Sequence, residues 1–377
     1  MKQLVIVGGG HSHIEVLRQF AENPPDVKLT VVSSESNLVY TGMLPGVVAG
    51  IYRHDECLID IERLANRAGA TWRPSAATSL DPTSNTLHLA DGSRISYDIL
   101  SLNIGAIPPY ASIQGACEHM VPIKPMNKFL DWWDALLATG SSALPTEICI
   151  VGAGAGGAEL ALAIEARLRK LSESKWFGRV FLITDGNDIM LGHNRLVRRW
   201  LRRILEERNI VTHTNARVTS VDARQMNVAD GRQFPFDHAI WTTGAAPEPW
   251  LSNSGLATDA RGFVAVNGYL QSTSHPNVFA SGDVATQVNS PRPKAGVYAV
   301  RQGPVLIENL RRAVNDKTLA SYQPQRHALA LIGIGERYAV ASRGLLAIKG
   351  EWVWRWKEKI DREFVASYRP ILPPTLK

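Results

Sequence analysis

Cysteine is the scarcest reactive group in this chain. Cys57, Cys117 and Cys149 are its three thiols, and none stands in a CxxC or CxxxxC pair. That excludes a disulfide framework and points to a reducing compartment. Long apolar runs are missing too. No stretch approaches the roughly 18 residues of a membrane-crossing helix, and Leu4-Val5-Ile6-Val7 is too short for the apolar region of a signal peptide. The expectation is a cytoplasmic protein, either free or peripheral on the cytoplasmic membrane. A net charge of +6 favours anionic partners without choosing among dinucleotides, anionic lipid and nucleic acid. With 45% hydrophobic and 20% charged residues the composition is that of a globular protein, not a disordered one. The length of 377 residues accommodates two or three domains.

Glycine, by contrast, is concentrated in two turns. Gly8-Gly9-Gly10-His11-Ser12-His13 follows Leu4-Val5-Ile6-Val7, and Gly152-Ala153-Gly154-Ala155-Gly156-Gly157 follows Ile148-Cys149-Ile150-Val151. Such apolar runs suit parallel strands buried on both faces. Helical spacing resumes after each turn, through Ile14, Leu17 and Phe20 in one case and Ala158 to Ile164 in the other. In a dinucleotide-binding turn the first glycine permits the bend, the second lets backbone approach the pyrophosphate, and the third allows close helix–strand packing. The helix N-terminus supplies amide donors and the positive end of a dipole. Each unit also carries a carboxylate just past its second strand, Glu35 and Asp185, where ribose hydroxyls bind. Asp185 repels a 2′-phosphate and no arginine lies between 186 and 194, so NADH is favoured over NADPH.

The first turn departs from this pattern because His13 stands where the third glycine belongs. An imidazole there must point out of the helix–strand contact or push the helix away. His11 and His13 either hydrogen-bond a phosphate or a cofactor ring edge, or cap the helix and face solvent.

Further along, the strand Tyr97 to Leu102 leads into Asn103-Ile104-Gly105, and the prolines from Pro108 to Pro125 mark a crossover. The arginines between Arg195 and Arg208 alternate with Leu196, Val197, Trp200, Leu201, Ile204 and Leu205. They form the solvated face of an amphipathic helix, and no nucleic acid is expected. Trp241-Thr242-Thr243-Gly244 closes the second unit, and Val278-Phe279-Ala280-Ser281-Gly282-Asp283 begins a return. No metal is expected.

This ordered set resembles the two-dinucleotide-fold flavoproteins, the family that includes the pyridine nucleotide-disulfide reductases and type II NADH dehydrogenases, from residue 1 to about 315. The resemblance implies an α/β protein with two Rossmann-like domains. Residues 1–115 would form the first part of an FAD domain, 116–250 an NAD(P)H domain, 251–322 the second part of the FAD domain, and 323–377 a C-terminal docking or membrane-contact domain. By position, Gly8, Gly10 and Glu35 would bind the ADP half of FAD and Ala77 would meet adenine through its backbone. Gly105 would lie beside the flavin and Gly282-Asp283 would hold ribitol and diphosphate. Gly152, Gly154, Gly157 and Asp185 would take NADH, with Gly244 at the mouth of that site. Glu159 corresponds to a carboxylate near nicotinamide and flavin that can relay protons, the alternative being an exposed helix acid. Lys294 would neutralise reduced flavin or attract an anionic substrate, unless it is merely a surface lysine.

More narrowly, Gly8 to His13, Tyr40-Thr41-Gly42-Met43-Leu44-Pro45-Gly46 and Pro293-Lys294-Ala295-Gly296-Val297 resemble the branch found fused to, or encoded beside, selenide, water dikinase. The redox cysteines of disulfide reductases and sulfide:quinone oxidoreductases are missing from 40–50 and 152–160. Electrons would therefore leave flavin directly for an acceptor, unless Cys117 participates. Quinone leads, although Gly296-Val297 replaces the family's Ala-Gln pair. The other readings are reduction of a small selenium, sulfur or other anionic compound, or a non-catalytic flavin module. In the C-terminal segment Trp352, Trp356, Ile360 and Phe364 recur every four residues. Residues 351–364 are read as a helix whose stripe docks on the protein's own core or a second subunit, or lies on a membrane.

Overall fold

The computed structural model describes residues 1–110, 112–140, 144–173 and 176–369; the last residues of the expected C-terminal domain, 370–377, lie outside them. Six helices are used below: α1 (His11–Glu22), α2 (Met126–Ala138), α3 (Ala155–Leu171), α4 (Arg195–Glu207), α5 (Gly296–Val314) and α6 (Glu351–Tyr368).

Two five-stranded parallel sheets organise the molecule. In the first, the spatial order is Val278–Ala280, Ile99–Leu102, Lys2–Val7, Val27–Val32 and Thr71–Arg73. The central run is apolar at every position because both faces are covered. Leu4 and Ile6 enter the core beneath α1, while Val5 and Val7 enter a second core shared with Leu80, Leu87 and Val264. Alternate side chains of a strand face opposite sides, so one unbroken run serves two cores. The second sheet repeats this logic in the order Met120–Pro122, His238–Trp241, Glu147–Val151, Arg179–Ile183 and Val211–His213. Ile148 and Ile150 pack toward the helices, whereas Cys149 and Val151 pack toward Met226 and Phe234 of an antiparallel sheet.

The first sheet is not contiguous in sequence, for Val278–Ala280 pairs with Ile99–Leu102 after the whole second sheet has intervened. A third sheet of antiparallel strands, Ala330–Gly333, Ala339–Arg343 and Leu346–Gly350, leads into α6. Its first turn is tied to the second unit by four charges. Arg169 and Arg208 each reach both Glu165 and Glu336, at 2.6 to 3.1 Å.

The second glycine turn shows why the fold demands its composition. Gly152 has φ +119°, and a Cβ on Gly157 would lie 1.8 Å from the Gly152 carbonyl oxygen. Backbone meets backbone there, with no room for a methyl group. Gly157→Ala should therefore destabilise the protein by about 1–3 kcal/mol or more and lower its melting temperature. Thermal unfolding of the variant checks this, and an unchanged transition would contradict the packing.

Candidate functional site

At the second turn, Gly154 and Gly156 have no atom within 4 Å of where a Cβ would stand, so their backbone faces open space. The first amides of α3 have no side-chain cap. Uncapped amides beside open glycine backbone form a ready anion cradle. Asp185 follows the neighbouring strand and is exposed. The sequence neighbourhood hides one feature of this edge. Asp188 is held by Arg198 at 3.1 Å and Arg202 at 2.5 Å, both contributed by α4. The arginines absent between 186 and 194 thus arrive from the next helix, already paired.

The first turn is built differently. His13 is fully buried, with Nδ1 2.7 Å from the Gly8 carbonyl oxygen and Nε2 2.8 Å from Ser101 Oγ. A carbonyl only accepts, so Nδ1–H donates to Gly8 and the Ser101 hydroxyl donates to Nε2. Burial lowers its pKa to about 4, which keeps the ring neutral. Both expectations for His13 are corrected: it neither faces solvent nor has a ring nitrogen free for a ligand. It fills the gap that Gly157 closes in the other turn by direct backbone contact.

His11 is also buried, and its Nε2 has no hydrogen-bond partner among the described residues. Solvent exposure is therefore excluded for His11 too. Burial brings its pKa to about 4, against the opposing charge of Asp283. Its ring lies 5.9 Å from Tyr40 and 6.0 Å from Phe364. Glu35 is half-buried and accepts a 2.8 Å hydrogen bond from Asn127 of α2. Ala77 begins the antiparallel strand Ala77–Asp81, also half-buried.

The two units meet at the carboxyl ends of their central strands. Ile107, just past Gly105, exchanges both backbone hydrogen bonds with Ala246, just past Gly244, at 2.9 and 2.8 Å. Gly105 has φ +77° and open space before it. Gly244, at φ +75°, stands against Pro109. Gly282 and Asp283 lie at the same junction, where Asp283 pairs with Lys124 at 3.1 Å. A lone lysine between crossover prolines carries no sequence signal, and Lys124 was not foreseen.

Lys294 is half-buried and is not a surface lysine. Its ammonium donates to the Ala285 carbonyl at 2.6 Å and Thr286 Oγ1 at 2.9 Å, and lies 3.9 Å from the centre of the Phe263 ring. Burial lowers its pKa to about 8. With two of its three donors aimed at protein oxygens, it fastens a loop.

The C-terminal helix then covers the first unit. Lys357 donates to Asp361 and to the Gly42 carbonyl, both at 2.5 Å, and the Tyr40 hydroxyl donates to Asp361 at 3.2 Å. Phe364 stacks on Tyr40 at 4.5 Å. Glu159, on the first turns of α3, accepts from the Gly333 amide at 2.6 Å. Loss of solvation raises its pKa to about 7, against the attraction of Lys357. It is not an exposed helix acid. The expected docking stripe is also revised, because Trp352, Trp356 and Ile360 are 54%, 38% and 38% exposed. The helix instead docks through Val353, Trp354, Lys357, Asp361, Val365 and Tyr368.

Comparison with known proteins follows this geometry. The family model described as pyridine nucleotide-disulphide oxidoreductase matches residues 2–303. The NADH dehydrogenase-like protein YutJ of Bacillus subtilis is 23% identical over 371 residues, covering 95% of this chain and 99% of that protein. The demethylphylloquinone reductase NdbB of Synechocystis is 23% identical over 297 residues, 75% of this chain and 72% of that one. Among solved structures, sulfide:quinone oxidoreductase from Aquifex aeolicus superposes with a TM-score of 0.81 at 20% identity, covering 99% and 93% of the two chains. NDH2 from Plasmodium falciparum in complex with NADH gives 0.79 at 15% identity, covering 99% and 100%.

The position of Lys294 generates a prediction. Lys294→Gln should cost about 1–3 kcal/mol of stability while leaving the rate of reduction of the protein by NADH within about twofold. Thermal unfolding and rapid mixing on one preparation check both halves, and a large loss of rate with intact stability would restore a catalytic role.

Proposed function

The chain belongs to the pyridine nucleotide-disulphide oxidoreductase family, and on that premise we propose that it is an FAD-dependent NADH dehydrogenase that passes electrons to a quinone. The family uses FAD and NAD(P)H. Bound FAD supplies hydride acceptance from NADH and onward electron transfer. The observation that carries the reading is the junction itself: Ile107 and Ala246 join the ends of the two sheets, with Gly105 beside open space. Ligands of open α/β sheets lie at the carboxyl ends of the strands, so joined ends bring two such ligands together.

The residues present fit the cofactors. Among the described residues, His11 Nε2 and Ser281 Oγ are buried polar atoms without protein partners, as expected where a polar ligand completes them. In this proposal residues 1–115 and 251–322 hold FAD through Gly8, Gly10, His11, Glu35, Ala77, Gly105, Gly282 and Asp283. Residues 116–250 hold NADH through Gly152, Gly154, Gly157, Asp185 and Gly244. Arg198 and Arg202 are spent on Asp188, which supports NADH over NADPH.

Glu159 is the proton-handling group. With a pKa raised to about 7, it carries a proton below neutrality and loses it above. Reduction of a quinone consumes protons, so turnover should fall as pH rises through about 7. Glu159→Gln should abolish that inflection, which a pH profile of acceptor reduction measures. An unchanged profile would remove Glu159 from the mechanism.

The exposed surface supports a bilayer as the source of the acceptor. Leu345 at the turn before the last strand is 93% exposed and Leu346 is 74% exposed. They continue through Ile348 into the partly exposed Trp352, Trp356 and Ile360 of α6. Asn194 at the start of α4 bonds to Gly344 and Leu346, which sets Leu196 and the exposed Arg195 and Arg199 beside this ridge. Apolar side chains with tryptophan and flanking cations suit an anionic interface. No helix among the described residues is long and apolar enough to cross a membrane.

Two outcomes test the proposal. The protein should sediment with anionic phospholipid vesicles, and replacing Leu345, Trp352 and Trp356 together by Ser should weaken binding at least tenfold (~0.8 kcal/mol per lost CH₂); wild-type protein that stays in solution contradicts the surface assignment. After NADH reduction, a quinone should reoxidise the protein faster than oxygen, selenium or sulfur compounds in stopped flow. Faster reoxidation by a selenium or sulfur compound would replace quinone as the acceptor.

A further inference from the structure

Asn103 lies between the first turn and the returning loop at Ser281. It follows the strand Ile99–Leu102 and is 2% exposed. Its Oδ1 accepts from the Ser12 amide at 3.2 Å and the His13 amide at 3.4 Å, at the positive end of α1. Its Nδ2 donates to the Ser281 carbonyl at 2.6 Å, across 178 residues of sequence. Its backbone oxygen accepts from the Gly10 amide at 3.2 Å, and its own amide donates to Val7 at 2.9 Å.

Three glycines crowd against this one residue, two of them, Gly8 and Gly282, also at positive φ. A Cβ on Gly8 would lie 2.6 Å from the Asn103 carbonyl oxygen, one on Gly10 2.2 Å from Asn103 Oδ1, and one on Gly282 2.4 Å from Asn103 Nδ2. The turn that opens the first unit and the loop that completes it after the second unit thus close around one carboxamide. Only a group that accepts on one side and donates on the other satisfies both segments. Aspartate accepts at α1 but, when ionised, cannot donate to Ser281.

We infer that Asn103 is the positioning residue that joins the two separated halves of the first unit into one FAD site, holding Ser281-Gly282 beside the first turn. The inference rests on the assignment of that turn to FAD. The carboxamide holds each segment at hydrogen-bond distance without adding charge beside the cofactor's diphosphate.

The test compares wild type, Asn103→Ala and Asn103→Asp as full-length chains. FAD affinity is measured by fluorescence titration of the stripped protein, NADH affinity by quenching of its tryptophans. Asn103→Ala should weaken FAD at least about tenfold and leave NADH affinity unchanged. Asn103→Asp should weaken FAD further near pH 8 and recover at least about tenfold near pH 5, because burial and the facing Ser281 carbonyl oxygen favour the protonated acid, which regains a donor. Neither wild type nor Asn103→Ala should show that recovery. The inference is overturned if either variant keeps wild-type FAD affinity, if Asn103→Asp shows no recovery in acid, or if NADH affinity falls in parallel with FAD. Should Asn103→Ala fail to fold, the acid recovery of Asn103→Asp decides. A wild-type chain that takes up no FAD overturns the assignment of the turn itself, and this inference with it.

Discussion

Two backbone hydrogen bonds between Ile107 and Ala246 fix where the two parallel sheets meet. They fasten the carboxyl end of one parallel sheet to that of the other. Sequence-distant glycines then acquire a common purpose: Gly105 and Gly244, both at positive φ, let each strand turn away at the junction without a side chain filling it. A flavin and a nicotinamide are useful to each other only at contact distance, since hydride transfer depends on placement. The same junction gathers Lys124, Asp283 and His11, whose charges and burial shape the space between the sheets.

The two glycine turns achieve helix–strand closure by different means. In the second, glycine meets glycine and the open backbone of Gly154 and Gly156 faces outward. In the first, the closure is polar and internal: His13 bridges Gly8 and Ser101, and Asn103 caps α1. A buried polar cluster is tolerable because its members satisfy one another, and that mutual dependence gives the first turn a particular shape. The C-terminal helix imposes a third polar closure, in which buried Lys357 and Asp361 clasp Tyr40 and Gly42. A buried ion pair contributes little net stability, but removing one partner is costly, so it specifies where the helix sits.

Much of the architecture was legible in the sequence because its signals are local. Uninterrupted apolar runs, glycines at fixed offsets and carboxylates past the second strands all read along the chain. The roles that were misjudged depend on distant partners. Lys294 looked free because Ala285, Thr286 and Phe263 are brought to it by the fold. His13 looked like a ligand or a solvent-facing residue because Ser101, 88 positions away, is invisible to local spacing. The stripe from Trp352 to Phe364 looks like one face, yet Phe364 packs on the first unit while Trp352, Trp356 and Ile360 stay partly exposed. Periodicity reports that a face exists, not what covers it. Lys124 and Asn103 gave no local signal, since their meaning lies in Asp283 and Ser281.

In the proposed reaction electrons enter from NADH across the junction of the two sheets. The direct measurement is anaerobic rapid mixing of the FAD-loaded protein with NADH while the visible flavin absorbance is followed. Bleaching of the flavin within milliseconds to seconds, at a rate that saturates with NADH, is the predicted result. Flavin absorbance unchanged at saturating NADH would contradict the account.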